Sequence, residues 1–182
     1  SIMSPATYCV CALFLVGAAQ GVPSGCSWIE RGFGSRSKEL QSLIARMGGD
    51  VIRQKLPVRF PDRMYEKVQK APVCERIAFL SEGISNIKDL FDKNLDAVTW
   101  DRTQLEHFQV VLYRQWTELR SCVRSPTKYG KRLKKHFKKL RKKVLHNMNY
   151  NLQSWELIRK AILRHLERLD LLSASIKRGK TK

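Results

Sequence analysis

Histidine, cysteine and clustered lysine are the side chains of this sequence that could do chemistry, and their spacing decides which chemistry is open to them. His107, His136, His146 and His165 fall at no paired spacing with cysteines or acids, so they form no recognisable metal-ligand set. The chain has no glycine-rich phosphate loop and no Gly-x-Ser-x-Gly elbow. An enzyme is therefore not expected, and neither is a catalytic residue, a metal or a cofactor. Cys9 and Cys11 lie in an apolar N-terminal run, and Cys26, Cys74 and Cys122 lie beyond it. In an oxidising compartment three thiols allow one bridge and one leftover, and all three pairings are open from the sequence.

The other reactive feature is electrostatic. Lys131, Arg132, Lys134, Lys135, Lys138, Lys139, Arg141, Lys142 and Lys143 are interleaved with Leu133, Phe137, Leu140 and Val144. At helical spacing the four apolar anchors share a side, and the nine cations fall mostly on the other. Such a face attracts polyanions, whether heparan sulfate, an anionic bacterial membrane or nucleic acid, through contacts that salt weakens. Its composition also fits a nuclear-import signal. The plainer reading is a solvated helix face on a soluble protein.

The chain of 182 residues is 43% hydrophobic, about one domain with one core. All 35 lysines and arginines lie beyond residue 30, so the net charge of +19 belongs to the part after the N-terminal segment. Residues 8–19 are an uncharged apolar run of signal-peptide length, with Ala19 and Gly21 at the −3 and −1 places of a cleavage after Gly21. Residues 1–21 are thus expected to be a signal peptide and 22–182 the mature domain. The lack of a positive charge before the run departs from the usual pattern. No later stretch is long and apolar enough for an anchor, so the protein is expected to be secreted, without a transmembrane segment. No Asn-x-Ser/Thr sequon occurs, and no N-linked glycan is expected.

Apolar residues recur at steps of three and four, which predicts five main helices. The first covers about 27–47, with Trp28, Phe33, Leu40, Leu43, Ile44 and Met47 on one side, and Gly48-Gly49 ends it. Residues 48–72 make a long connection broken by Pro57, Pro61 and Pro72, with room for a short helix from Asp62 to Val68. The second helix, about 73–93, carries Ile77, Leu80, Ile84, Ile87 and Phe91. The third, about 101–123, carries Leu105, Phe108, Leu112, Trp116, Leu119 and Cys122, with Asp101 and Gln104 as a reciprocal cap. The fourth covers about 131–148 after Pro126 and Gly130, and the fifth runs from near Ser154 to about Ser175 with Trp155, Ile158, Ile162, Leu166 and Leu169 inward. Five one-sided helices can bury their stripes only against one another, so the expected fold is an all-α bundle. A connection of about 25 residues can run the height of the bundle, which allows the first two long helices to lie parallel, in the up-up-down-down arrangement.

The segment Ser154-Trp155-Glu156-Leu157-Ile158-Arg159-Lys160-Ala161-Ile162-Leu163-Arg164 resembles the start of the last helix of type I interferons. Cys26-Ser27-Trp28 resembles the mature N-terminus of the fish members, Arg59-Phe60-Pro61 with Met64-Tyr65 their long first loop, and Leu119-Arg120-Ser121-Cys122 the end of their third helix. These matches keep the family's order from Cys26 to about Leu172. The resemblance is to the single-disulfide group of fish type I interferons, because Gln153 and the stretch between Trp28 and Val73 lack the cysteines of a second bridge.

The resemblance implies a Cys26–Cys122 bridge and a secreted helical cytokine acting as a monomer. Such a protein binds a heterodimeric class II cytokine receptor, activates the receptor-associated kinases and induces an antiviral state. It implies that Arg159, Leu163 and Arg164 face one receptor chain, joined by Lys55 and Arg59 of the first loop, and that the opposite side of the bundle holds the other chain. It assigns Cys74 no role; that residue reads as a partly buried side chain of the second helix, with intermolecular pairing the sharper alternative. The alternative function, from a different class, is a cationic host-defence protein that binds anionic membranes or glycosaminoglycans through the 131–143 helix.

Overall fold

The computed structural model describes residues 26–49 and 52–178, and the expected signal peptide lies outside these residues. Among the described residues every regular element is helical. They are α1 (Trp28–Arg31), α2 (Phe33–Arg46), α3 (Asp62–Gln69), α4 (Val73–Leu90), α5 (Arg102–Arg120), α6 (Lys128–Leu140) and α7 (Leu152–Arg178). The first apolar pattern is split at Gly32, where the Trp28 ring occupies the space a side chain would need. The short helix in the long connection forms as α3, starting at Asp62.

Helices α5, α6 and α7 start on side-chain caps. The Asp101 side chain accepts from the Gln104 backbone N–H at 2.8 Å, but the reciprocal half of that cap does not form. The Asp101 N–H instead reaches the Met47 carbonyl at the end of α2, 3.2 Å away, so tertiary packing supplies the partner. Thr127 caps α6 through the Gly130 N–H, which starts that helix before Lys131. Asn151 caps α7 by accepting from the Ser154 N–H at 2.8 Å, so Ser154 lies inside the first turn instead of starting the helix. Past Leu140 the backbone widens into a π-turn, Arg141–Leu145, and then tightens into a 3-10 turn, His146–Met148. Within that wide turn the consecutive Val144 and Leu145 are both buried.

Contacts between helix ends fix the directions. Met47 meets Asp101 at one end of α2, and Phe33 meets Gln115 at the other, so α2 and α5 are antiparallel. Arg159 reaches the Ile44 carbonyl while Lys38 pairs with Asp170, so α2 and α7 are antiparallel. Arg76 reaches Ser175, so α4 and α7 are antiparallel too. Helices α2 and α4 therefore run up and α5 and α7 run down, the up-up-down-down bundle expected, with α6 as a fifth helix packed on α4.

The core is continuous. Phe91 sits 5.1 Å from Phe108 and 5.4 Å from Trp155, ring to ring, and Trp100 stands edge-on to Trp155 at 6.2 Å. Gly83 lets α4 approach α7 closely, because a side chain there would stand 2.9 Å from the Leu169 methyls. The Cys26–Cys122 disulfide is present, with Cα atoms 5.2 Å apart, and ties the entry to α1 to the end of α5. Beside it the Trp28 indole donates to the Gln115 amide oxygen at 2.5 Å. Cys74 lies half-buried on the first turn of α4.

Candidate functional site

The outer side of α7 and the long first connection meet at a small group of side chains. Arg164 donates to both carboxylate oxygens of Asp62, at 2.9 and 3.0 Å, and its guanidinium lies 4.0 Å over the centre of the Phe60 ring. One turn further, Arg168 donates to the same carboxylate at 2.8 Å and lies over Tyr65 at 5.0 Å. The spacing of four residues puts both arginines on one helix face. Asp62 is able to meet them because it opens α3 just after Pro61 turns the chain. The Arg164 side chain is still 52% exposed, so its pairing leaves donors free for a partner. Leu163 is half-buried at the edge of the core, and Lys55 and Arg59 are exposed on the connection that leads into Phe60.

Arg159 is not on this face. Its side chain is 8% exposed, and it donates to the Glu156 carboxylate from Nε and Nη2, both at 2.9 Å, and to the Ile44 carbonyl at 2.8 Å. The other Glu156 oxygen accepts from the Trp100 indole. The expectation that Arg159 and Arg164 point the same way fails on helix geometry, since five residues turn the helix by about 140°. Arg159 falls beside the buried Ile158 stripe and clamps α7 to the end of α2. Trp155 is fully buried as well, and its indole donates to the Asn94 carbonyl at 2.8 Å.

Beneath the arginine face lies a buried chain of hydrogen bonds that sequence spacing did not reveal. Tyr65 Oη is 2.7 Å from His165 Nδ1, and His165 Nε2 is 3.1 Å from His136 Nε2. With the phenol donating to His165, the ring's other nitrogen carries the proton donated to His136, so both imidazoles are neutral. Burial pushes His136 down to about 4, with Lys139 adding to the effect. Burial also drives His165 well below its usual value; repulsion from His136 whenever that ring takes up a proton, and from the Arg164 and Arg168 cations, adds to the effect. The Tyr65 phenol is raised by its burial, with Arg168 opposing. His136 and His165 are 29 residues apart on different helices, so no local pattern could announce the pair. Asp62 and Phe60 were also missed as partners of Arg164, and Arg168 as the second arginine on Asp62; the Arg164/Arg168 spacing was the available signal. Among the described residues no cluster of three or more histidines, cysteines, aspartates or glutamates could hold a metal ion.

The basic stretch lies on the outside of the bundle. Lys131, Arg132, Lys134, Lys135, Lys138, Lys139, Lys142 and Lys143 are exposed, and Arg141 is half-buried with Nη2 donating to the Asp89 carbonyl at 3.1 Å. Leu133, Phe137, Leu140 and Val144 are at most 4% exposed. Among the described residues, no helix is long and apolar enough to cross a membrane.

A family model described as the interferon alpha/beta domain matches residues 33–176. Interferon a3 of Oncorhynchus mykiss is 45% identical over 166 residues, covering 91% of this chain and 95% of that protein. Interferon alpha-7 of Homo sapiens is 23% identical over 158 residues, covering 79% of this chain and 80% of that one. Among solved structures, zebrafish interferon 1 superposes with a TM-score of 0.73 at 30% identity, over 83% of this chain and 99% of its own. Zebrafish interferon 2 superposes with a TM-score of 0.64 at 23% identity, over 76% of this chain and 96% of its own.

Proposed function

The chain belongs to the interferon alpha/beta family, and from that premise we propose that it is a secreted antiviral cytokine, mature from about Val22, that acts as a monomer. It brings together two chains of a class II cytokine receptor and so activates their kinases and an antiviral transcription programme.

The observation that supports one receptor face is the joining of Phe60 and Asp62 to Arg164 and Arg168. That contact places the first connection and the outer side of α7 side by side, so Lys55, Arg59, Leu163 and Arg164 can be reached by one partner. An apolar edge flanked by arginines has the makeup of an interface hot spot. Arg159 serves this face indirectly, by fixing the position of α7. The second receptor chain is assigned to the opposite side of the bundle, where α5 exposes Val110 (66%) and Tyr113 (59%) to solvent. Exposed apolar side chains of that size suit a protein partner.

The test uses refolded protein from residue 22 onward, applied to receptor-bearing fish cells before a viral challenge, with and without receptor blockade. The double variant Leu163→Ala, Arg164→Ala should keep its helicity and bind the receptor at least about tenfold more weakly, the effect of losing part of a hot spot. Unchanged binding and signalling would move the receptor face elsewhere. Protection that survives receptor blockade would sink the cytokine reading itself.

A further inference from the structure

The surface left unexplained by receptor binding is the outer face of α6. Between Glu118 and Glu156 the chain carries twelve lysines and arginines and no acid. Nine of them lie from Lys131 to Lys143, a span of about 18 Å at helical rise. Among the described residues, none of the nine is in an ion pair with a carboxylate. Like charges three and four residues apart destabilise a helix. The bundle therefore holds together a row of repelling cations that no internal partner offsets, and an external anion would relieve the repulsion.

The structure discriminates among anions. A helix that inserts into a membrane offers lipid its apolar face. Here that face is in use: Leu133, Phe137, Leu140 and Val144 are at most 4% exposed, packed in the core. Membrane insertion would require α6 to leave the bundle. Single-stranded nucleic acid calls for exposed aromatic rings on which bases can stack. The aromatics of α6 are Phe137, which is buried, and Tyr129, which is half-buried with Arg132 at 5.9 Å from its ring centre. What the face does offer is a row of point charges anchored on one helix, most of them lysine ammonium groups, suited to closely spaced sulfates.

We propose that the outer face of α6 binds a sulfated glycosaminoglycan chain lying along the helix; this rests on the reading of the protein as a secreted ligand. Binding is electrostatic and falls with salt. The apolar side of α6 stays in the core throughout.

The experiment compares the mature chain with two variants of equal charge on immobilised heparin. One carries Lys134→Gln, Lys135→Gln, Lys138→Gln and Lys139→Gln on α6; the other carries Lys67→Gln, Lys70→Gln, Lys93→Gln and Arg102→Gln, all exposed positions elsewhere. The native chain and the second variant should elute above physiological salt, about 0.15 M. The α6 variant should bind about tenfold more weakly at that salt, with a shallower salt dependence and no loss of helicity. Equal weakening in both variants would reduce the effect to net charge, and native elution below about 0.15 M salt would remove the site. Preferential competition by single-stranded DNA, or leakage of phosphatidylglycerol vesicles, would give the face to a different ligand. Signalling by the α6 variant on cells lacking heparan sulfate should match the native protein. A loss there would make α6 part of the receptor surface and overturn the glycosaminoglycan assignment, while a native chain silent on receptor-bearing cells would instead count against the cytokine reading.

Discussion

Arg159 carries five potential donors into a site almost closed to water, and a guanidinium there is tolerable only because acceptors meet it. The Glu156 carboxylate and the carbonyls of Ile44 and Ala45 do so. Removing the guanidinium leaves Glu156 as a buried carboxylate with only the Trp100 indole for support. Arg159→Ala is therefore expected to destabilise the fold by about 3–5 kcal/mol, read by urea or thermal unfolding. Arg164→Ala, which breaks a half-exposed bridge to Asp62, should cost no more than about 1 kcal/mol. Under the receptor face proposed above, the two arginines, five residues apart, would separate stability from binding. Comparable losses of stability from both substitutions would contradict this division of roles. Both residues were named by the resemblance of the Trp155-Glu156 segment to the last helix of the family. Helix period already sets the two about 140° apart; only packing against α2 decides which of them is enclosed.

Elements were more legible than their ends. The stripes of α2, α4, α5 and α7 were readable because period 3.6 is written directly in the order of apolar residues. The broken first helix, the π-turn after α6 and the half-made cap at Asp101 were not, since each answers to a neighbour: the Trp28 ring, the core beneath Val144 and Leu145, and the Met47 carbonyl. The disulfide acts at this scale, by joining the entry to α1 to the end of α5 across 96 residues. In the loop-entropy description, closing a loop of that size restricts the unfolded chain by roughly 4–5 kcal/mol. Cys26→Ser with Cys122→Ser should lower stability by a few kcal/mol, with the folded double variant still able to bind receptor if concentrated. A melting temperature equal to that of the native protein would show that the bridge constrains nothing the bundle does not already hold.

Across the whole molecule, the buried histidine pair links stability to acidity. An unfolded imidazole titrates near about pH 6.5, whereas the folded His136 is pushed down to about 4 and His165 lies well below its usual value. Between those limits the unfolded chain takes up protons that the folded chain refuses, so stability is complete above about pH 6.5 and falls with acid, by at most about 1.4 kcal/mol per pH unit for each ring. The charged groups facing the pair, Lys139 of α6 and Arg164 and Arg168 of α7, reinforce the refusal. His136→Gln should narrow the gap between melting temperatures at about pH 7 and about pH 4.5 by removing its share of this slope. A gap of native size would mean that other groups set the acid response.

The sequence alone determined that this protein is a bundle of one-sided helices, that Cys26 and Cys122 match the family's bridge, and that a dense row of cations occupies one helix. The bundle and the row of cations follow from residue type and period along the chain, and the bridge from the resemblance to the family; none of the three needs knowledge of neighbours. Only the tertiary structure decided that Arg159 faces inward while Arg164 grips Asp62, that His136 and His165 share a proton chain with Tyr65, and that the apolar side of α6 is already occupied. Those outcomes depend on which distant backbone atoms and side chains arrive at a helix edge, and distance in the chain carries no record of that arrival.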